Sequence, residues 1–225
     1  LQGILVESGS WESGISNYWG NVLYQRMFKN EQYRTGLTEA IEDLRAQYLT
    51  ADKIRSLISI YRPVVKPYVY RMPDLMYAPL TETEYDTVAD AIVGELEQNY
   101  QYYLESLEKP MPFFIGVPQV NGNSLSIVWD AAYDFDNEAV TYNMELASDY
   151  LFQNIIYSEQ NIRIPQVETA LLPPGQYFIR VTATNASGRT QTPFDYYVID
   201  AGKVYGMKCF YVLEDGTIAE EIRLE

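Results

Sequence analysis

The spacing of hydrophobic positions changes near the middle of the chain. Between residues 17 and 109 these positions recur every three or four residues, as they do in amphipathic helices. From residue 110 onward they alternate with polar positions, which is typical of strands with one buried face. The pattern predicts a two-domain α+β protein: an N-terminal α-helical bundle (1–109), then an antiparallel β-sandwich (110–200) with a C-terminal β-hairpin (201–225).

Four helices are predicted in the first domain. The second follows Asn30, its cap, and the third follows Thr50. A capping box of Thr81 and Glu84 opens the fourth, which we place at 81–108. The predicted inward stripes are Trp19, Val22, Leu23 and Met27; Tyr33, Leu37, Ile41, Leu44 and Tyr48; Ile54, Leu57, Ile58 and Tyr61; and Tyr85, Val88, Ile92, Leu96, Tyr100, Tyr103 and Leu107.

Two prolines lie within the pattern of the third helix. Pro63 and Pro67 each lack the backbone donor that a helix interior uses, and their rings crowd the preceding turn. We therefore expect the helix to break or kink at Pro63, with Val64–Met72 as a separate short helix.

The clearest strand lies within Leu171–Gly188, which reads LLPPGQYFIRVTATNASG. A Pro-Pro-Gly turn opens it, and the alternation places Tyr177, Ile179, Val181 and Ala183 on one face. This is typical of the central strand of a sandwich, with Tyr177 in the position of a corner tyrosine. The other predicted strands are Phe113–Val117, one with Leu125, Ile127 and Trp129 inward, Ala139–Ala147 with Val140, Tyr142, Met144 and Leu146 inward, Asn161–Val167 with Ile162 and Ile164 inward, and Thr190–Ile199.

The turn Asp215-Gly216 predicts a β-hairpin at the end of the chain. Its strands would be Val204–Leu213 and Thr217–Leu224. The sequence leaves open whether this hairpin adds to the sandwich or packs on the helices.

Composition excludes several classes of function. A net charge of −15 and a pI of about 4.4, with no basic stripe, exclude nucleic acid as a partner. No apolar run approaches the roughly 20 residues that span a bilayer. Histidine is absent and Cys209 is the only cysteine, so histidine-based catalysis and internal disulfides are ruled out. The chain begins at Leu1 rather than methionine, so we expect it to be a piece of a longer protein.

Three aspartates after Trp129 form the candidate metal site of this chain. Asp130, Asp134 and Asp136 bring carboxylates close together in one loop, and oxygen ligands at such spacing can hold calcium. The spacing and glycine of an EF-hand are missing. The alternative is a solvated loop in which the aspartates shape turns.

Tyrosine is unusually frequent, with 21 residues. Tyr102, which falls off the inward stripe of its helix, and Tyr196 are candidate binding residues. Exposed tyrosines can stack on sugars or contact proteins, so the expected partner is a polysaccharide or a cell-surface protein. The alternative is that they pack against the neighbouring domain. No nucleophile–base pair is visible, so we assign no catalytic residue and do not expect this chain to be an enzyme.

A set of signatures runs through the second half of the chain. They are Trp129, Tyr142, Leu172, Gly175, Tyr177, the run Val181–Asn185, and Gly188. Together they resemble a fibronectin type III domain. The resemblance implies an immunoglobulin-like sandwich, a fold that recurs without a common function.

The first half carries the passage Trp19–Arg34, which reads WGNVLYQRMFKNEQYR. Leu49–Ile54, reading LTADKI, follows at the start of the third helix. Over residues 17–75 this arrangement resembles the C-terminal part of the spore-coat protein H (CotH) kinase family, in which Phe-Lys-Asn and then Tyr-Arg follow the catalytic core.

The CotH resemblance implies a bacterial, secreted or surface-associated kinase of atypical fold that uses ATP and a divalent metal. Its catalytic part would lie upstream of the matching region, so no catalytic residue is carried over to this chain. We therefore expect the non-catalytic C-terminal region of an extracellular CotH-like protein, which supports the kinase domain and mediates surface or protein interaction. The alternative hypothesis is a carbohydrate-binding or adhesion module with no kinase parent.

Overall fold

The computed structural model describes residues 22–220, and the chain divides into the units Leu1–Leu104 and Glu105–Glu225. Several predictions concern residues outside the described range. These are the start of the first helix with Trp19, the first three residues of the passage Trp19–Arg34, and the last part of the strand Thr217–Leu224.

Helices make up the described part of the first unit, and their starts follow the predicted caps. The Asn30 side chain accepts hydrogen bonds from the backbone nitrogens of Gln32 (2.9 Å) and Tyr33 (3.3 Å). Thr81 and Glu84 form the predicted capping box. The helices within residues 22–220 are α1 (Val22–Phe28), α2 (Glu31–Gln47), α3 (Ala51–Val69), a 3₁₀ turn (Asp74–Tyr77) and α4 (Glu82–Glu108).

Helix α3 runs through both prolines, so the prediction of a separate helix Val64–Met72 is wrong. Pro63 and Pro67 each remove one backbone hydrogen bond. Lys66, which lies between the prolines, pairs with α4, since its Nζ is 2.6 Å from Asp86 Oδ2. A partly exposed ion pair contributes at most about 1 kcal/mol, so it accompanies the continuity of α3 and does not by itself explain it.

Antiparallel strands form the second unit, as predicted. The strands within residues 22–220 are β1 (Gln119–Asn121), β2 (Ser124–Val128), β3 (Thr141–Ala147), β4 (Ile155–Ile162), β5 (Gln166–Ala170), β6 (Gly175–Thr184), β7 (Thr190–Gln191), β8 (Tyr196–Ile199), β9 (Gly202–Tyr205), β10 (Met207–Val212) and β11 (Ile218–Ala219). One sheet has the order β1–β2–β5, and the other has the order β11–β10–β6–β3–β4, with β7 beside β6. This division of strands is that of a fibronectin-like sandwich.

Strand β6 is central, as predicted, because it pairs with β3 on one side and with β10 on the other. Its inward residues all lie in the main core of the sandwich. The residues predicted to point inward on the strands around β2 and β3 lie there too, except Val140, which is partly buried and packs against this core. The core residues predicted from alternation are Tyr177, Ile179, Val181, Ala183, Leu125, Ile127, Trp129, Tyr142, Met144 and Leu146.

Tyr177 is a corner tyrosine. Its ring is buried beside Phe210, with the ring centroids 5.8 Å apart, and its hydroxyl donates a 2.9 Å hydrogen bond to the Pro173 carbonyl. The bond ties the turn before β6 to the strand itself, which is the role that this position has in related sandwiches.

The predicted strand Asn161–Val167 is instead the end of β4 and the start of β5. Asn161 has a left-handed φ of 58°, and Pro165 has no backbone donor for a ladder. A tight turn results, and Ile164, predicted to point inward, is 65% exposed.

The segment Phe113–Val117 was also predicted to be a strand, but it makes only an isolated bridge between Ile115 and Trp129 among the described residues. Pro112 and Pro118 lie at either side of it and cannot donate to a ladder. The Ile115 nitrogen donates to Asp195 Oδ2 (2.7 Å), so a side chain takes the place of a strand partner.

The predicted strand Thr190–Ile199 is divided into β7 and β8, and β8 forms a hairpin with β9. Pro193 lies between the two pieces and cannot continue the β7 ladder. Val204 belongs to β9, so the next strand begins at Met207 and not at Val204.

The C-terminal hairpin adds to the sandwich, which the sequence had left open. Strand β10 pairs with β6 along its length, and Tyr211 and Val212 pair with Ala219 and Ile218 of β11. The predicted turn at Asp215-Gly216 lies between these strands, with Gly216 at a φ of 80°.

We predict that Tyr177→Phe lowers the free energy of unfolding by about 1 kcal/mol, because it removes the bond to the Pro173 carbonyl and little else. Urea denaturation measures this. Tyr157→Phe is the control, since that hydroxyl bonds an exposed carboxylate, and it should change stability by less than about 0.5 kcal/mol. Equal effects of the two variants would contradict the role given to the corner tyrosine.

We predict that the folded-state pKa of Glu84 lies below its ordinary value of 4.5, because the backbone nitrogen and the hydroxyl of Thr81 donate to its carboxylate. The capping contribution to helix stability is therefore complete above pH 4.5 and is lost as the pH falls through the lowered pKa. An NMR titration should show that Thr81→Ala moves the Glu84 pKa back toward 4.5. The pKa of Glu97, which is in the same helix as Glu84 and is lowered by hydrogen bonding to Gln101 and by Arg45 of α2, should not move.

Candidate functional site

The three predicted calcium ligands lie in the loop between β2 and β3. Asp134 is buried, whereas Asp130 and Asp136 are exposed. Asp134 Oδ1 accepts hydrogen bonds from the backbone nitrogens of Asp136 and Glu138, both at 3.0 Å. This carboxylate therefore shapes its own loop.

The second oxygen of Asp134 is bound to Asn185, which follows β6. Asn185 Nδ2 donates to Asp134 Oδ2 at 2.9 Å and to the Glu108 carbonyl at 3.0 Å, and its Oδ1 accepts from the Arg189 nitrogen at 2.8 Å. All four residues belong to the second unit. The Asp134–Asn185 pair therefore links the β2–β3 loop, the end of α4 and the turn after β6. Asn185 belongs to an Asn-Ala-Ser sequence that resembles a glycosylation site, but its side chain is buried.

The carboxylate of Asp134 thus has hydrogen-bond donors at both oxygens. Within residues 22–220, no group of three or more His, Cys, Asp or Glu side chains has an arrangement suited to a metal ion. Calcium binding by Asp130, Asp134 and Asp136 stays a prediction, and the structure gives the central residue a structural task.

Tyr196 lies on the outer face of the β8–β9 hairpin and is 40% exposed. Its register partner is Tyr205, whose ring is 5.8 Å away at an interplanar angle of 62°. Lys203 Nζ lies 4.0 Å from the centre of the Tyr196 ring. The two rings therefore form an edge-to-face pair beside an ammonium group rather than a flat platform.

The hairpin is held to the sandwich by its other face. Tyr197 contacts Phe178 edge to face at 4.9 Å, and Val204 packs on the same small cluster, which includes Met207. The outer residues therefore project from a hairpin whose inner face is packed on the sandwich.

Tyr102 lies on α4 in the first unit and is 43% exposed. Its neighbour Tyr103 is buried, and the Tyr103 hydroxyl lies 2.7 Å from Thr38 Oγ1. Tyr102 and Tyr196 belong to different units, and a binding role for each stays a prediction.

The acidic start of α4 faces basic residues of α3. Lys66 and Arg62 pair with Asp86, Asp90 and Glu82, and hydrogen bonding to these carboxylates raises the pKa of both basic groups. The groove that they line, of about 530 Å³, therefore contains mutually neutralised charges. Its chemistry suits cross-linking of the two helices more than acid–base catalysis.

Cys209 lies on β10 and is half-buried. Burial raises the pKa of its thiol, and Gln176 Nε2 lies 3.3 Å from its sulfur. The same amide donates to the Tyr211 hydroxyl, and burial raises the pKa of Tyr211 to about 12. Both groups are therefore protonated at neutral pH, which gives a weak nucleophile.

Sequence reasoning missed a row of exposed apolar residues along α3. Leu57 and Tyr61 were predicted to point inward, but they are 51% and 59% exposed, and Val64 and Tyr68 continue the row. Ile54, which is buried, lies on the same side of the helix as these residues, so the spacing of apolar positions did not show which part of the face is exposed.

We predict that Asp134→Ala lowers the free energy of unfolding by about 2–3 kcal/mol, because it leaves two loop nitrogens and the Asn185 amide without their acceptor. Asp136→Ala, which removes an exposed carboxylate, should cost less than about 0.5 kcal/mol. Thermal denaturation of the two variants distinguishes them. Calorimetric heat from calcium in chelator-treated wild type, absent in Asp134→Ala, would instead support the metal site.

Two solved structures show partial similarity to the chain. The twitchin kinase region from C. elegans (Fn31-NL-kin-CRD-Ig26) is 18% identical, with 42% of this chain and 20% of that chain covered, at a TM-score of 0.28. The structure of FN3tt mut is 20% identical, with 38% of this chain and 93% of that chain covered, at a TM-score of 0.25. The sandwich assignment rests on the strand order and register of this chain.

No curated protein matches the sequence. A family model does match the helical part of the chain and the residues before it. The N-terminal region, residues 4–103, is a match to the CotH kinase protein family.

Proposed function

We propose that this chain is the non-catalytic C-terminal region of an extracellular, bacterial CotH-like protein. Its helical unit supports the kinase domain of a longer parent, and its sandwich contacts a partner at the cell surface. The observation that carries the proposal is the match of residues 4–103 to the CotH kinase family. ATP and a divalent metal would be bound by the upstream part of that parent.

The described residues do not fit a nucleotide–metal site of their own. They contain no metal-ligand group, and the basic residues Arg62 and Lys66, which line the groove between α3 and α4, are paired with carboxylates. None of the described helices is long and apolar enough to cross a membrane. The supporting role in the parent is proposed on the family match of residues 4–103.

A carbohydrate-binding or adhesion module is the second candidate function. The outer face of the β8–β9 hairpin favours it, because Tyr196 and Tyr205 are 40% and 42% exposed while the inner face packs on the sandwich. Tyrosine supplies contact area with a polar tip, which suits sugars and protein surfaces.

We expect the native protein to be surface-associated and well above 25.9 kDa. An antibody against residues 81–109 would locate the native protein in fractionated source cells. Mass spectrometry of the detected band should then identify peptides upstream of Leu1. The upstream part should then show ATP-dependent phosphorylation. A native band at 25.9 kDa would contradict the kinase-parent proposal. Glycan binding lost in Tyr196→Ala would then favour the second candidate.

A further inference from the structure

Three ionisable side chains meet near the start of β10, and we call them the Lys208 cluster: Lys208, Asp195 and Glu220. Lys208 lies on the same side of β10 as Phe210 and Val212, which belong to the main core. The side chains of Lys208 and Asp195 are only 14% and 12% exposed. Charged side chains are rarely so buried, and water stabilises their charges poorly at such a position.

Asp195 is fixed beside the amine by both of its oxygens and by its backbone. Lys208 Nζ lies 3.4 Å from Asp195 Oδ1 and 2.7 Å from Glu220 Oε1. The other oxygen, Asp195 Oδ2, accepts a 2.7 Å hydrogen bond from the Ile115 nitrogen. The Asp195 carbonyl accepts from the Gly206 nitrogen at 2.8 Å. Holding two groups at about 3–3.5 Å replaces a collision between them and favours reaction.

We propose that Lys208 and Asp195 condense to an intramolecular amide, a covalent cross-link between β10 and the segment that leads into β8. The Nζ lone pair, freed when Glu220 takes a proton, attacks the Asp195 carboxyl carbon. Oδ1 leaves as water with two of the three ammonium protons, and the third stays on the amide nitrogen. One ammonium and one carboxylate thus give one amide and one water, so no oxidant or other reactant is needed.

The surrounding contacts support each part of this step. The Ile115 nitrogen donates to Oδ2, which carries the negative charge of the tetrahedral intermediate and remains as the amide carbonyl. Burial raises the pKa of Asp195, which favours the uncharged acid form from which water leaves more readily.

Glu220 is the base that the amine requires. Burial opposes the charge on Lys208, but the hydrogen bond to Glu220 and the charge of Asp195 outweigh it and raise the pKa of the amine. The amine therefore keeps its proton until a carboxylate takes it. Glu220 is the nearer carboxylate, and because its side chain is 52% exposed it exchanges protons with water.

The cross-link would fix the base of the β8–β9 hairpin. It closes the loop 195–208, which contains both strands of the hairpin with Tyr196 and Tyr205. Cys209 is the only cysteine, so an internal disulfide cannot do this. The inference does not depend on the kinase parent, because the residues that carry it all belong to the second unit.

The test is the mass of the purified 225-residue chain. We expect it to be lower than the mass of the sequence by one water. Trypsin should then give one branched peptide in which residues 190–203 are joined to residues 204–223, with no cleavage after Lys208. This peptide distinguishes the cross-link from loss of water at Asp215-Gly216, which would leave the two pieces separate.

Lys208→Arg keeps the positive charge but cannot form the amide, so it should restore the full mass. It should also lower the Tm by about 10 °C, because a cross-link that closes a loop of this length removes unfolded-state entropy. Lys203→Arg is the matched control on β9, where the ammonium contacts the Tyr196 ring, and it should keep both the mass loss and the Tm.

Glu220→Gln tests the base. It should slow the condensation about 100-fold, as loss of a positioned acid–base group does, when intact mass is followed at intervals after induction of expression. Wild-type protein with the full mass of its sequence, or with a water lost but residues 190–203 and 204–223 unjoined, would overturn the inference and identify the Lys208 cluster as an ion pair only.

Discussion

The second unit depends on the burial of one face of β6. Four alternate residues of this strand, Tyr177, Ile179, Val181 and Ala183, lie in the main core, and the strand exchanges backbone hydrogen bonds with β3 and β10. Burial of apolar area at about 25 cal/mol per Å² is the main favourable term in such a core. Because the side-chain period of a strand is two, this burial also sets the register of both neighbours.

The opposite face of β6 explains why the sandwich carries an additional hairpin. Phe178 is buried there beneath Tyr197 of β8, and Arg180 pairs with Glu145 while its guanidinium lies 4.1 Å from the Phe152 ring centre. The β8–β9 hairpin therefore covers an apolar patch that would otherwise face water. The same covering presents Tyr196 outward, which links the stability of the hairpin to the proposed contact surface.

The two units use their polar residues in the same way but differ in apolar burial. The carboxylate of Asp134 accepts hydrogen bonds from its own loop and from Asn185, and the carboxylate of Asp86 pairs with Lys66 of α3. Both acidic clusters in the sequence therefore contain a carboxylate that links two segments of its unit. The sandwich has a continuous core, whereas the described part of the helical unit buries few side chains.

The sequence by itself determined the elements whose signals are local. Caps at Asn30 and Thr81 set helix starts, and strict alternation set the inward residues of β2, β3 and β6, because a cap or a buried face needs only neighbouring residues. Only the tertiary structure showed that α3 continues through its prolines, that Asp134 is buried and that Leu57 and Tyr61 are exposed. The burial of Asp134 depends on a residue far away in the chain, because Asn185 donates a hydrogen bond to its carboxylate. The exposure on α3 depends on which residues of an apolar helix face a neighbouring element covers, and helix periodicity does not contain that information.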